Sequence, residues 1–227
     1  MINRLHARFH RPDRGWDPVP AAHAARYGVD EWSHIDHVLL DDLSERIGGF
    51  AGKSVLDLGG GPGQYTMAMA QRGARVTWHD VSRTYMDMSR HRAEALGLTD
   101  RVRFSLGYLD EAPQRLGERF DFVFNRICWN YGFGDRSFAA VVYGLVKTGG
   151  FGYVDTTHSG YQREQLSMTV RLRTWLNDYS AIKIGHPYPP RGRLARLFLR
   201  QRVERLSVDY STPTNDRILF QKASFRE

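Results

Sequence analysis

The sequence predicts an α/β fold: a seven-stranded, mostly parallel sheet with helices on both faces and an antiparallel hairpin at the C-terminus. Three observations carry this. From Asp30 to Thr156, short strand-like apolar runs alternate with segments of helical periodicity. A glycine-rich turn follows the first of those runs directly, the strand–turn–helix form of open α/β sheets. The last two strand-like runs are joined by a turn too short for a parallel crossover.

Taken in order, residues before about Asp30 read as irregular. Arg11 to Pro20 holds three prolines in ten residues and cannot form a long helix. Trp32, Ile35, Val38, Leu39, Leu43 and Ile47 then recur at helical spacing, and Gly48-Gly49 ends that helix. Lys53 to Leu58 reads as a buried strand, Gln64 to Arg72 as a helix and Arg75 to His79 as a second strand. Ser82 caps a helix that runs to about Leu96 and stops at Gly97. Arg101 to Leu106, Phe120 to Asn125 and Phe151 to Thr156 are the third, fourth and fifth strands. A helix from Arg136 to Val146, ended by Gly149-Gly150, precedes the fifth. Such alternation implies right-handed crossovers. Beyond it, a helix is predicted from Tyr161 to Tyr179, then a loop with Pro187, Pro189 and Pro190, then a short helix near Leu194 to Leu197. Arg202 to Asp209 and Arg217 to Gln221 form the closing hairpin. No repeat, low-complexity tract or linker appears, so residues 1–227 read as a single domain.

Composition narrows the setting. Of 227 residues, 41% are hydrophobic and 25% charged, enough to bury a core. No stretch approaches the ~18 apolar residues of a membrane span, and Met1 to Arg8 lacks the apolar run of a signal peptide. Cys128 is the only cysteine, which excludes an internal disulfide. These features point to the cytoplasm. The net charge of +7 and pI of about 9.7 fit attraction to an anionic substrate or nucleic acid. They equally fit an arginine-rich composition: of 32 Lys and Arg residues, four are lysine and 28 arginine, spread through the chain. Aromatic and basic residues are not interleaved as on a nucleic-acid platform.

The chemistry-bearing motif is Val55-Leu56-Asp57-Leu58-Gly59-Gly60-Gly61-Pro62-Gly63. Glycines after a strand bring bare backbone to the carboxyl edge of the sheet, where a ligand can approach closely. The dinucleotide fingerprint G-x-G-x-x-G/A fails in both registers: starting at Gly59 its third position is Gln64, and starting at Gly61 it is Thr66. Asp80 closes the second strand, 21 residues beyond Gly59. At that spacing an acid accepts the hydroxyl protons of a ribose; the alternative is an acid favoured by a helix N-terminus.

Four stretches in order resemble the class I S-adenosylmethionine-dependent methyltransferases: Val55 to Gly63, Val76 to Ser82, Phe120 to Asn125 and Val146 to Phe151. The resemblance runs from about Asp30 to the C-terminus and implies a Rossmann-like seven-stranded sheet whose last strand inserts antiparallel. It implies S-adenosyl-L-methionine as cofactor and assigns roles by position. Asp57, Gly59, Gly61 and Gly63 match residues around the methionine moiety. Asp80 matches the ribose acid, Val81 flanks the adenine, and Asn125 faces the sulfonium end. The family often places an acid after the glycine that follows the third strand; Tyr108 stands there, so adenine stacks on Tyr108 or bonds to the Leu109 backbone. Residues 1–30 match a lid or arm, within reach of which Arg26, Tyr27 or Trp32 would meet the cofactor carboxylate. Residues 180–200 match an inserted loop and short helix near the acceptor pocket.

Methyl transfer is an in-line displacement in which the protein's main task is alignment. Acceptor residues should follow the fourth and fifth strands: Arg126, Trp129, Asn130 and Tyr131, then His158 and Tyr161. His158 is the candidate base, with Tyr131 beside it; a surface loop histidine is the other reading of His158. Asn125-Arg126-Ile127-Cys128 is not the Asn/Asp-Pro-Pro-aromatic signature of many amino-group enzymes. His34 and His37 lack a third ligand, so no metal site is expected. The reading is a methyltransferase for the oxygen or nitrogen of a small-molecule acceptor, with no membrane partner and nucleic acid disfavoured. The alternatives are an RNA or protein methyltransferase using the basic surface, or a non-catalytic cofactor-binding protein.

Overall fold

The computed structural model describes residues 2–160, 167–179 and 183–224. Its strands are β1 (Ser54–Leu58), β2 (Arg75–Asp80), β3 (Val102–Leu106), β4 (Phe120–Arg126), β5 (Val146–Thr157), β6 (Val203–Asp209) and β7 (Asn215–Lys222). They form one seven-stranded sheet in the order β3-β2-β1-β4-β5-β7-β6. β1, β2 and β3 pair in parallel. β7 runs antiparallel to both β5 and β6, the predicted hairpin with its last strand inserted. The helices are α1 (Ile2–Phe9), α2 (Ala21–Ser33), α3 (His37–Ile47), α4 (Gln64–Gln71), α5 (Arg83–Ala95), α6 (Ala112–Leu116), α7 (Asp135–Leu145), α8 (Met168–Tyr179) and α9 (Arg193–Phe198). No helix among the described residues is long and apolar enough to cross a membrane.

The chain forms two compact units: His10–Val123, and Met1–Phe9 with Phe124–Glu227. In the first, Ala24 of α2 packs with Trp78, Tyr85 and Met86, flanked by Val19, Phe104 and Leu106. Gly28 sits where a Cβ would come within 2.5 Å of the Met88 methyl, the end of a flexible side chain that would have to shift to admit it. In the second, Trp129, Phe138, Phe198 and Phe220 are fully buried, with Phe198 stacked on Phe220 at 4.5 Å.

Several elements differ from the sequence reading. The N-terminal region is not irregular throughout: it carries α1 and α2 on either side of the proline-rich segment, which holds only a 3-10 turn at Pro12–Arg14. Ala21, Ala22, Ala24 and Ala25 are strong helix formers, and Pro20 precedes them at φ −62°, ready to start a helix. The single helix expected over Trp32 to Ile47 is two, because the Asp36 carboxylate accepts the Leu39 N–H at 2.9 Å and caps a fresh start. β5 begins at Val146, not Phe151, since Val146 is already extended at ψ 133° and buried. The carbonyls of Tyr143 and Val146 at that helix end accept from the Lys222 ammonium at 3.1 and 2.9 Å. α6, with Pro113 in its first turn, links β3 to β4 where no helix was expected. The long helix expected from Tyr161 is described only as α8, and Tyr161 itself lies outside the described residues.

Candidate active site

Backbone ladders bring the ends of β1, β2 and β3 together in the His10–Val123 unit. The Gly59 N–H donates to His79 O at 2.7 Å and the Gly107 N–H to Asp80 O at 2.8 Å. Asp57, Gly59, Gly61, Gly63, Asp80, Val81, Tyr108 and Leu109 therefore gather at one edge. The turn needs its glycines for different reasons. Gly59, Gly61 and Gly63 have φ of +88°, +49° and +83°. A Cβ at Gly60 would strike the Trp78 indole, and one at Gly63 would strike Ser89. A Cβ at Gly61 would meet nothing within 4 Å, so that side of the turn faces open space. The outer wall is tied down: Trp78 Nε1 donates to Gly61 O at 3.0 Å, and Trp32 Nε1 to Pro62 O at 3.1 Å.

Asp80 is locked by two backbone donors, the Gly61 N–H at 3.1 Å to Oδ2 and the Ser82 N–H at 3.0 Å to Oδ1. Burial raises its pKa, with the Asp17 charge adding to this, against those N–H bonds. Each oxygen keeps a lone pair for a further donor. Asp57 is buried and accepts the Thr66 hydroxyl at 2.5 Å. Burial pushes its carboxyl up to about 7 despite that bond, and the Asp80 charge adds to the rise. His79, buried behind the turn, is pushed down to about 4 by burial; its Nε2 lies 3.1 Å from Tyr108 O and its Nδ1 3.0 Å from the Ser105 hydroxyl.

Tyr108 stands where the family often has an acid, and an N-terminal segment covers it. Its hydroxyl donates to His10 O at 2.7 Å, and the Trp16 ring stacks on it at 6.0 Å and 19°. Arg11 pairs with Glu111 at 2.6 Å, and Arg83 donates to Pro12 O at 3.2 Å. Asp17 accepts the Thr84 N–H and hydroxyl, both at 2.8 Å, at the N-terminus of α5. Burial pushes the Tyr108 phenol up to about 12, helped by Glu111 and opposed by Arg11. Leu109 is buried and opens a 3-10 turn. Trp16 is a residue that sequence reasoning missed, since a tryptophan between prolines carries no periodic signal. Of the three expected lid residues, Trp32 is latched to the glycine turn, its ring beneath Arg92 at 4.3 Å. Tyr27 packs on Tyr85, and Arg26 is exposed.

S-adenosylmethionine fits this edge on its own geometry. The open side of Gly61 admits a ligand beside the backbone, and each Asp80 oxygen retains acceptor capacity, while Tyr108 is covered by Trp16 and His10.

Asn125, Tyr131 and His158 belong to the other unit. Asn125 is fully buried, and its Nδ2 donates to Cys128 Sγ at 2.9 Å. Ile127 adopts φ +56°, a strained conformation for a β-branched residue, and its N–H donates to Asp155 O at 2.7 Å. That kink turns the chain sharply out of β4. Arg126 Nε pairs with the buried Asp155 carboxylate at 3.4 Å. Trp129 is not the pocket residue expected: it lies in the core between Phe138 and Phe198, its Nε1 donating to buried Asp135. Lys183, itself buried, and Arg193 pair with the same carboxylate at 3.3 and 2.9 Å, anchoring the 183–193 segment. Tyr131 is exposed and its ring meets His186 at 4.8 Å. His158 is buried, with Nδ1 accepting from the Gly160 N–H at 3.2 Å. Among the described residues no His, Cys, Asp and Glu group is placed to hold a metal.

Residues 55–150 match the model of the methyltransferase domain family. The chain is similar to the tRNA 5-carboxymethoxyuridine methyltransferase of Escherichia coli K12, 27% identical over 119 residues, 52% of this chain and 43% of that protein. It is also similar to the ubiquinone biosynthesis O-methyltransferase of Actinobacillus pleuropneumoniae serotype 7, 43% identical over 65 residues, 29% of this chain and 28% of that protein. The chain thus spans less than half the length of these curated relatives. Among solved structures, an O-methyltransferase family protein from Burkholderia thailandensis shares the fold at a TM-score of 0.65 and 21% identity, over 90% of this chain and 60% of that one. Residues 55–150 thus carry the match to a methyltransferase domain, and the seven-stranded sheet with its inserted antiparallel strand is the fold shared with that solved structure.

Proposed function

We propose that the protein transfers the methyl group of S-adenosylmethionine to an oxygen or nitrogen of a small-molecule acceptor in the cytoplasm. The observation that carries the cofactor half of this reading is the Asp80 carboxylate, clamped by the Gly61 and Ser82 N–H groups beside an open glycine turn. In this reading Asp57, Gly59, Gly61 and Gly63 hold the methionine end, and Asp80 the ribose. Val81, Tyr108 and Leu109 hold the adenine, Asn125 faces the sulfonium, and residues 1–30 act as the lid or arm. Bound there, the cofactor supplies a methyl already activated by its sulfonium, so the protein's own work is to orient the acceptor and accept its proton. His158 and Tyr131 are the acceptor-side residues. The short match to a ubiquinone O-methyltransferase supports a small acceptor.

A second reading, methylation of RNA, is favoured by the longer match, at lower identity, to a tRNA methyltransferase and by the net charge of +7.

Titration calorimetry tests the cofactor half. Micromolar binding of S-adenosylmethionine and its demethylated product is expected. Asp80→Asn should weaken both by about tenfold or more, since it exchanges a charged acceptor for a neutral amide. Binding of a nicotinamide dinucleotide in place of either would overturn the reading.

A further inference from the structure

The β5–β7 ladder sets two buried polar side chains on one face, and each lacks one partner. Thr156 stands opposite Asp216, and the ladder continues through the His158 N–H, which donates to Thr214 O at 3.0 Å. Residues two apart on a strand share a face, so His158 and Asp216 are diagonal neighbours. The alternate residues take the other face, where Asp155 accepts from Asn215 at 2.7 Å and pairs with Arg217 at 3.6 Å. His158 is 4% exposed and Asp216 is fully buried.

The deficits are complementary. His158 Nδ1 accepts from Gly160, which leaves the proton of the neutral ring on Nε2, and Nε2 is buried without a hydrogen-bond partner. Asp216 Oδ2 accepts the Gly192 N–H at 2.6 Å, while Oδ1 is buried without one. Unmade hydrogen bonds on buried groups are costly, and such sites in native proteins call for a ligand, a water or a catalytic role. A donor beside an acceptor suits a group that accepts one hydrogen bond and donates another. A carboxylate has no proton for Asp216. A neutral amine would commit its single lone pair to His158 and lose it for attack. A hydroxyl satisfies both residues and keeps a second lone pair.

We propose that His158 and Asp216 bind the acceptor's hydroxyl group, His158 Nε2–H donating to its oxygen and Asp216 Oδ1 taking its proton, so that the chain is an O-methyltransferase. As the free lone pair forms the new oxygen–methyl bond, the O–H bond breaks toward Asp216 and the carbon–sulfur pair stays on sulfur. Carboxylate and sulfonium become carboxylic acid and thioether, and charge balances. Asp216 suits this role: burial raises its carboxyl pKa against the Gly192 N–H and the charges of Arg191 and Arg196, which makes it a stronger base than a solvated carboxylate. The histidine expected to be the base is thereby the donor, and a residue of β7 that carries no sequence motif is the base.

The inference rests on the methyltransferase reading but is tested apart from it. The imidazole resonances of His158 are followed by 15N–1H NMR in the full chain, saturated with the demethylated cofactor, while phenol or anisole is added at millimolar concentration. Phenol has the hydroxyl as its one polar group, and anisole is its methyl ether. Phenol should shift the His158 Nε2 signal and anisole should not, and Asp216→Asn should weaken the phenol response about tenfold or more. No phenol response, an equal anisole response or an unaltered Asp216→Asn response overturns the proposal, leaving an ordered water as the pair's only partner. If Asp216→Asn does not fold, the phenol–anisole comparison on the unaltered chain still decides. Failure of the demethylated cofactor to bind would instead overturn the methyltransferase reading.

Discussion

Asp57 shows what one buried carboxyl on β1 costs and when. Its folded-state pKa of about 7 lies above the ~3.9 of an unfolded aspartate. A group raised on folding stabilises the protein fully below the unfolded value, and that contribution is lost as pH rises through the folded one. The thermal midpoint of the wild type should therefore fall between about pH 4 and pH 7 relative to Asp57→Asn, which cannot ionise; a constant difference across that window would refute this. Residue identity announced the Asp57 strand and the glycine turn, because glycine's tolerance of positive φ is intrinsic to it. It did not announce that Thr66 would bond to Asp57 at 2.5 Å, because burial belongs to the packed molecule.

At the scale of elements, the start of α5 is held by three acceptors from three segments. Ser82 caps it locally by accepting the Tyr85 N–H, Asp80 holds the Ser82 N–H, and Asp17 reaches in from the proline-rich arm to hold the Thr84 N–H. Burial opposes ionisation of Asp17, but the bonds from Thr84, Val19 and Ser82 prevail and lower its pKa. Asp17→Ala should cost about 1 kcal/mol in denaturant unfolding at neutral pH. Because its folded-state pKa is depressed, that contribution is present above the unfolded value and lost as pH falls through the folded one, so wild type and variant should converge in acid. The Ser82 cap was legible, since Ser before an amphipathic run is a local signal. Asp17 was not, since its partner is 67 residues away. The break between α2 and α3 was missed for a related reason: hydrophobic period alone does not reveal that the Asp36 side chain competes for a backbone donor.

For the whole molecule, charge and function make separable predictions. A surplus of +7 attracts any polyanion, but such attraction is screened by salt. With a small-molecule acceptor, affinity for tRNA should fall by about a hundredfold or more between 50 and 200 mM salt, while the rate of acceptor methylation changes by less than about twofold. Methylation that collapses together with tRNA affinity would favour the RNA reading.

By itself, the sequence determined the strand–helix alternation, the glycine turn paired with Asp80 and the closing hairpin. Each rests on signals confined to a few neighbouring residues: period, turn chemistry and spacing. Only the tertiary structure decided that Trp16 covers Tyr108, that Trp129 belongs to the core, and that His158 shares a face with Asp216. Those facts depend on strand register and on which side chains lose water, and both are settled by contacts between residues far apart in the chain.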